Sequence, residues 1–224
     1  MNGKAISMTR AELLPLLRRT VEIDYFHQHR HLPGSLTALP IIAEIYRDFD
    51  ETKDVFILSK GHGCAALYAV LESRGKKPDC AKVHPERDVE NGITITSGSL
   101  GHGLPVAAGI AYAKKLRSEP GNVHVLVGDG ECQEGTTWES LLIISRLFLG
   151  ANLTVHIDLN AYQGGAKILY NTSKSPWGHW GMWAFFIYHH PRPDLQVSLF
   201  PLPRTKSVHL MTEADFKQTM EELK

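Results

Sequence analysis

"NVHVLVGDGECQEGTTWESLLIISRLFLGANLTVHIDLN", residues 122–160, decides the fold. An apolar run, Val123 to Val127, ends in a glycine turn. "TTWESLLIISRLFLG" (136–150) carries a helical pattern, and "NLTVHIDLN" (152–160) is a second apolar run. Strand, helix and strand of these lengths form a βαβ unit, so the two strands lie parallel in one sheet. Ligands of such sheets sit beyond the carboxyl ends of the strands. Asp129 follows the first strand directly and Asn160 ends the second, so both are expected on one rim.

The turn itself, "GDGECQEG" (128–135), gathers three glycines and three acids. Mg²⁺ takes about six hard oxygens and favours one or two carboxylates plus substrate phosphate. Asp129 offers a carboxylate, Asn160 an amide oxygen, and the backbone carbonyl of Tyr162 a third donor. Gly128 and Gly130 let the main chain approach a diphosphate closely. The helix that follows points its N-terminus at the same region and favours anions. A GDG turn alone is weak evidence, because Asp and Gly are common turn residues. Thr136 to Glu139 also reads as a capping box that merely closes the helix start. The dinucleotide fingerprint is not met: Gly128-x-Gly130 is followed by Gln133 where a glycine is required.

Upstream, residues 10–30 read as a helix, broken by "HLPGS" (31–35), with a second helix from about Thr37 to Arg47. "DVFILS" (54–59) reads as a buried strand. "GHGCAALYAVLESRG" (61–75) reads as a helix closed by Gly75. Residues 76–96 read as a loop. "GSLGHGLPVAAGIAYAKKLR" (98–117) opens a helix whose small residues permit close packing. Beyond Gly164 the periodicity fades, and Trp177, Trp180 and Trp183 repeat at a spacing of three, as on a partner-facing stripe or in an unusual core. "TEADFKQTMEELK" (212–224) recovers a helix, with Thr212 as N-cap and Asp215 three residues on.

The 224 residues carry zero formal charge and are 43% hydrophobic, a balance suited to one α/β domain. That balance gives no electrostatic reason to expect nucleic acid or an anionic membrane as partner. No uncharged run is long enough to span a bilayer, and residues 1–10 lack a signal peptide's apolar stretch. Cys64, Cys80 and Cys132 form no CxxC, so a disulfide framework or zinc knuckle is not expected and a reducing cytoplasm is the simple reading. Asn152 and Asn171 match the glycosylation pattern, by chance in such a compartment.

GDG followed after about thirty residues by Asn is the thiamine diphosphate motif, and the fuller text resembles the transketolase family. "HLPGSLTALPIIAEIY" looks like that family's His-x-Gly-Gly-Ser-Leu-Ser segment. "DVFILSKGHGCAALYAVLESRG" is similar to its Ser-Lys-Gly-His segment, "VHPE" (83–86) to its Gly-His-Pro-Glu, and "TSGSLGHGLPVAAGIAYAKKL" to its Gly-Ser-Leu-Gly-x-Gly helix. The motifs stand in one order over about residues 10–165.

The resemblance implies a three-layer α/β/α fold with a mostly parallel sheet. Residues 1–165 would be the diphosphate domain and 166–224 a shortened, divergent C-terminal part of it. Asp129, Asn160 and the Tyr162 carbonyl would hold Mg²⁺ or Ca²⁺ against thiamine diphosphate. Gly128, Gly130, Glu131, His62 and the loop Ser99, Leu100, Gly101, His102 would line the cofactor. His31, His62 and His84 would face substrate, and histidine suits the handling of protons on sugar hydroxyls. Glu134 and Glu139 would lie near a subunit interface and share in the catalytic constellation. Singly, each histidine has a duller reading: His31 in a polar turn, His62 as a helix cap, His84 in a loop before Pro85. The shared motif order favours the functional reading for His31 and His62, and leaves His84 and His102 near even.

The family completes its cofactor site with a second, pyrimidine-binding domain. The resemblance therefore implies one half of a split, cytoplasmic transketolase, partnered by a pyrimidine-binding C-terminal subunit in a heterotetramer or larger assembly. Its substrates would be sugars or sugar phosphates. Val83 stands where the family has Gly, the 76–83 loop is short, and the family's Gly-His-Asp and Lys-Gly-x-Gly segments are absent. These departures leave open another thiamine diphosphate reaction, on a modified sugar or a 2-keto acid, or a non-catalytic partner-binding domain.

Overall fold

The computed structural model describes residues 8–147, 149–160, 162–163, 166–167, 187–191 and 210–224; for the strand residues between 162 and 191 it describes the backbone alone. Trp177, Trp180, Trp183 and Asn171 lie outside the described residues.

Four parallel strands form the sheet in the order β1 (Val55–Leu58), β2 (Val123–Gly128), β3 (Leu153–Leu159) and β6 (Ile187–Pro191). The βαβ reading of 122–160 is realised as β2, α5 (Gly135–Arg146) and β3. Side chains alternate between two apolar clusters, which is why the strands read as nearly continuous hydrophobic runs. Phe56, Leu58 and Leu126 pack with α1 (Arg10–His27), α2 (Leu32–Arg47) and α3 (Cys64–Ser73). Ile57, Val125, Val127, Val155 and Ile157 pack on the other face with α4 (Gly103–Arg117) and α5. The expected α/β/α layering follows. Ala107, Ala108 and Ala111 give α4 its close seat on the sheet. A short antiparallel hairpin, β4 (Tyr162–Gln163) and β5 (Ala166–Lys167), leaves the end of β3. The fourth strand, β6, had no clear signature in the sequence.

Several boundaries differ from the sequence reading, three of them with a plain local cause. The first helix stops at His27, because Gln28 and Arg30 take left-handed backbone (φ 54° and 66°). The second begins at Leu32, five residues earlier than Thr37. Pro33 falls in its first turn, where a missing N–H leaves no bond unmade. The third difference is α4, which starts at Gly103: Gly98 and Gly101 have φ of 137° and 80°, so "GSLGH" is a loop.

Thr212 and Asp215 form the expected capping box of α6 (Glu213–Glu222). Phe216 then stacks on Tyr25 with centroids 4.2 Å apart, tying α6 to α1. The three cysteines are free and buried. Among the described residues no helix is long and apolar enough to cross a membrane.

Candidate active site

The parallel sheet delivers three chain turns to one rim. The end of β1 gives Ser59, Lys60, Gly61 and His62; β2 gives Asp129; β3 gives Asn160. Gly128 pairs with Asp158 across β2 and β3, which sets Asp129 and Asn160 on neighbouring strand ends. The hairpin strand β4 packs back against the turn Asp129–Gln133, bringing the Tyr162 main chain to the same place. Asp129 is 2% exposed and Asn160 is half-buried. A buried carboxylate, an amide and a main-chain carbonyl are all hard oxygen donors, so this set fits Mg²⁺ or Ca²⁺. Among the described residues no cluster of three or more His, Cys, Asp or Glu side chains suits a metal.

Ser59 and Lys60, side by side, reach two different acids. Ser59 Oγ donates to Glu131 Oε1 (2.6 Å) and accepts from Gly103 N (3.1 Å). Glu131 also accepts from Gly101 N (2.9 Å) at Oε1 and from Gly128 N (2.8 Å) at Oε2. One buried carboxylate thus joins the β1 turn, the 98–102 loop and the GDG turn, and burial pushes its pKa up. Lys60 Nζ donates to Asp158 Oδ2, to Thr37 Oγ1 (2.9 Å) and to Gly34 O (3.0 Å). Thr37 Oγ1 lies within hydrogen-bond range of Asp158 Oδ2 (2.6 Å) and Asn160 Nδ2 (3.5 Å).

The three histidines come together. His31 and His62 ring centroids are 5.6 Å apart, and those of His31 and His84 6.2 Å. Glycines make the room: a Cβ on Gly34 would lie 2.5 Å from His62 Cδ2, and one on Gly98 3.1 Å from His84 Cδ2. His62 makes no side-chain cap on α3, against its duller reading. The "HQHRH" stretch divides its labour. His29 is buried and donates from Nε2 to Cys80 O (2.7 Å), a structural role, whereas the His31 ring joins the cluster and its backbone N–H donates to Asp24 Oδ1 (3.3 Å).

Burial lowers the pKa of all three pocket histidines. His62 falls to about 3, driven first by burial and then by the charge of Lys60 and the neighbouring rings. The rings are neutral at pH 7 and can accept as well as donate protons. A depressed folded pKa contributes stability that is whole above pH 6.5 and is lost as pH falls from there toward 3. Asp24 acts oppositely: burial raises its carboxyl from 3.8 to about 7, so its contribution is lost as pH rises through that window. Between pH 6 and pH 4 the His62 and Asp24 contributions oppose each other. His62→Leu is expected to remove the His62 part, so its melting temperature falls less, or rises more, than that of wild type as pH drops over that range. An unchanged slope in scanning calorimetry would contradict a neutral buried ring.

On the far side, Ser99, Leu100 and His102 are exposed, and Gly101 is buried. A Cβ on Gly101 would meet Thr136 Oγ1 at 2.4 Å and Glu134 Cβ at 3.0 Å, so this loop lies against the start of α5. Glu134 is the N-cap residue there and is half-buried. The expected Thr136–Glu139 capping box does not form: α5 begins at Gly135 with no side-chain cap, and Glu139 is exposed. Sequence reasoning passed over Thr37, Ser59, Lys60 and Asp158. Two signals were available: Ser59 and Lys60 open the Ser-Lys-Gly-His segment, and Asp158 is an acid in a largely buried strand.

A family model described as the thiamine diphosphate-binding domain of transketolase matches residues 46–174. One subunit of an apulose-4-phosphate transketolase from Phocaeicola vulgatus is 35% identical over 166 residues, 65% of this chain and 58% of that protein. The protein of the same name from Actinobacillus succinogenes is 37% identical over 153 residues, 59% of this chain and 55% of that one. The chain spans about half the length of these curated relatives. The solved transketolase of Leishmania mexicana superposes with a TM-score of 0.64 at 23% identity, covering 80% of this chain and 31% of that one; at that identity the likeness speaks for the fold alone.

Proposed function

Because this chain belongs to the transketolase family through its thiamine diphosphate-binding domain, we propose that it is the diphosphate-binding subunit of a two-component transketolase-like enzyme. The reaction in this reading is transfer of a two-carbon ketol unit from a ketose to an aldose. The observation that carries it is the shared rim: Asp129 and Asn160 at neighbouring strand ends, beside a pocket of three neutral histidines.

In this reading Asp129, Asn160 and the Tyr162 carbonyl hold Mg²⁺ or Ca²⁺. Gly128, Gly130 and the loop Ser99–His102 line the diphosphate. When bound, thiamine diphosphate supplies the carbon nucleophile and electron sink that ketol transfer requires. His31, His62 and His84 accept and return protons at the sugar hydroxyls, with His62 also against the cofactor. Residues 1–165 carry the domain, and 166–224 are its shortened C-terminal part.

The partner is a pyrimidine-binding subunit. Val106, Tyr112 and Leu116 on α4 and Leu142 and Ile143 on α5 are exposed, with Leu116 at 68%. Glu139 shares the outer side of α5 one turn before Leu142 and Ile143. An apolar face of this kind supports a protein partner over these helices. Both bacterial relatives are named as single components of a multi-chain transketolase, which supports the same division.

Reconstitution tests the reading. The purified chain, mixed with a pyrimidine-binding transketolase half, is expected to transfer ketol units only when both chains, thiamine diphosphate and Mg²⁺ are present. Release of CO₂ from 2-keto acids without ketol transfer would move the reaction to the decarboxylating alternative. Failure of the mixture to bind the cofactor would leave a partner-binding domain.

A further inference from the structure

We infer that Lys60 is a positioning residue that locks the cation seat and the histidine pocket into one geometry, an inference that rests on the functional reading above. Its ammonium is fully buried, with 1% of the side chain exposed, and Asp158 beside it is at 0%. The three bonds of Nζ tie the turn after β1 to two other elements, β3 and α2. Asp158 Oδ2 lies on β3, two residues before Asn160. Thr37 Oγ1 lies on α2 and is itself in reach of Asn160 Nδ2. Gly34 O belongs to the first turn of α2, where the absent Cβ leaves the space that the His62 ring fills. The stem of Lys60 also runs under the GDG turn, since a Cβ on Gly128 would lie 3.4 Å from Lys60 Cγ.

Stability alone is a weak reason for such a pair. Removing two charges from water costs several kcal/mol, and well-packed apolar residues of similar volume often serve as well or better. The pair is also incompletely satisfied, because Asp158 Oδ1 is buried without a hydrogen-bond partner among the described residues. What an apolar replacement lacks is direction. Lys60 donates along three fixed lines, one to Asp158 on the strand that leads to Asn160 and two to α2, whose Gly34 borders the His62 ring. Loss of those lines leaves Asn160 and His62 free to settle independently, and outer partners of metal ligands typically govern affinity by 10–100-fold.

The test compares wild type, Lys60→Met and Lys60→Met with Asp158→Leu, each with the partner subunit. Thiamine diphosphate binding in Mg²⁺ is measured by calorimetry, and folding by urea denaturation. Lys60→Met strands a buried carboxylate, so both stability and cofactor affinity are expected to fall. The double variant removes both charges, so the urea midpoint is expected to return to near wild type while affinity stays at least about tenfold weaker. Recovery of affinity together with stability would overturn the inference and leave Lys60 a structural residue. Wild-type affinity in Lys60→Met would overturn it too. A double variant that fails to fold is replaced by Thr37→Val, which removes one acceptor of Nζ without touching the charges; unchanged affinity there overturns the inference. A wild-type complex that binds no cofactor overturns the functional reading, and this inference with it.

Discussion

Asp129→Ala is expected to weaken Mg²⁺-dependent binding of thiamine diphosphate by at least about 100-fold, the largest functional effect of any single change in this chain. Asp129 is the one carboxylate of the candidate cation seat, and an amide and a carbonyl cannot replace its charge. Isothermal calorimetry on the complex with the partner subunit measures the loss. The far-UV circular dichroism of the variant is expected to match wild type, since β2 and α5 are held by apolar packing on both sides of the turn. Binding within threefold of wild type would remove Asp129 from the seat.

The largest stability effect is expected at Glu131. Glu131→Ala leaves Ser59 Oγ, Gly101 N and Gly128 N without the carboxylate that joins them. Each stranded buried donor costs about 1–3 kcal/mol, and with partial relaxation the total is about 3–5 kcal/mol. For a chain of this size that corresponds to a melting temperature lower by roughly 10 °C. Glu131→Gln keeps the shape but sets an N–H₂ against one of these donors, and it should cost less. A loss under about 1 kcal/mol for the alanine variant, read from urea denaturation, would show that the three turns hold together without the acid.

These two acids stand two residues apart in one turn, yet the sequence distinguishes them poorly. It places both at the carboxyl end of a parallel strand, because the βαβ pattern fixes that rim. It cannot tell that Glu131 is met by donors from Ser59 and Gly101, which arrive from distant parts of the chain. The same applies to Lys60 and Asp158, 98 residues apart and adjacent only once β1, β2 and β3 are side by side. Their pairing is a tertiary fact with no local signature. The histidines were more legible, since His31, His62 and His84 each sit in a segment resembling a family motif, and glycines leave the space two of the rings occupy: Gly34 for His62, Gly61 and Gly98 for His84.

Boundaries failed where local rules compete. Pro33 reads as a helix breaker but serves as a helix starter, and the glycines of "GSLGH" read as part of a small-residue helix but take left-handed turns. Strand β6 was missed because a five-residue strand carrying two histidines and a proline has neither alternation nor apolar continuity.

The proposed function requires this rim to seat a divalent cation through Asp129 and Asn160. A crystal of the complex grown with thiamine diphosphate and Mn²⁺, read by anomalous scattering at the manganese edge, tests it directly. One strong peak is expected within about 2.0–2.3 Å of oxygens from Asp129, Asn160 and the Tyr162 main chain. A manganese peak elsewhere, with Asp129 and Asn160 turned from it, would show that this rim is not the cation seat.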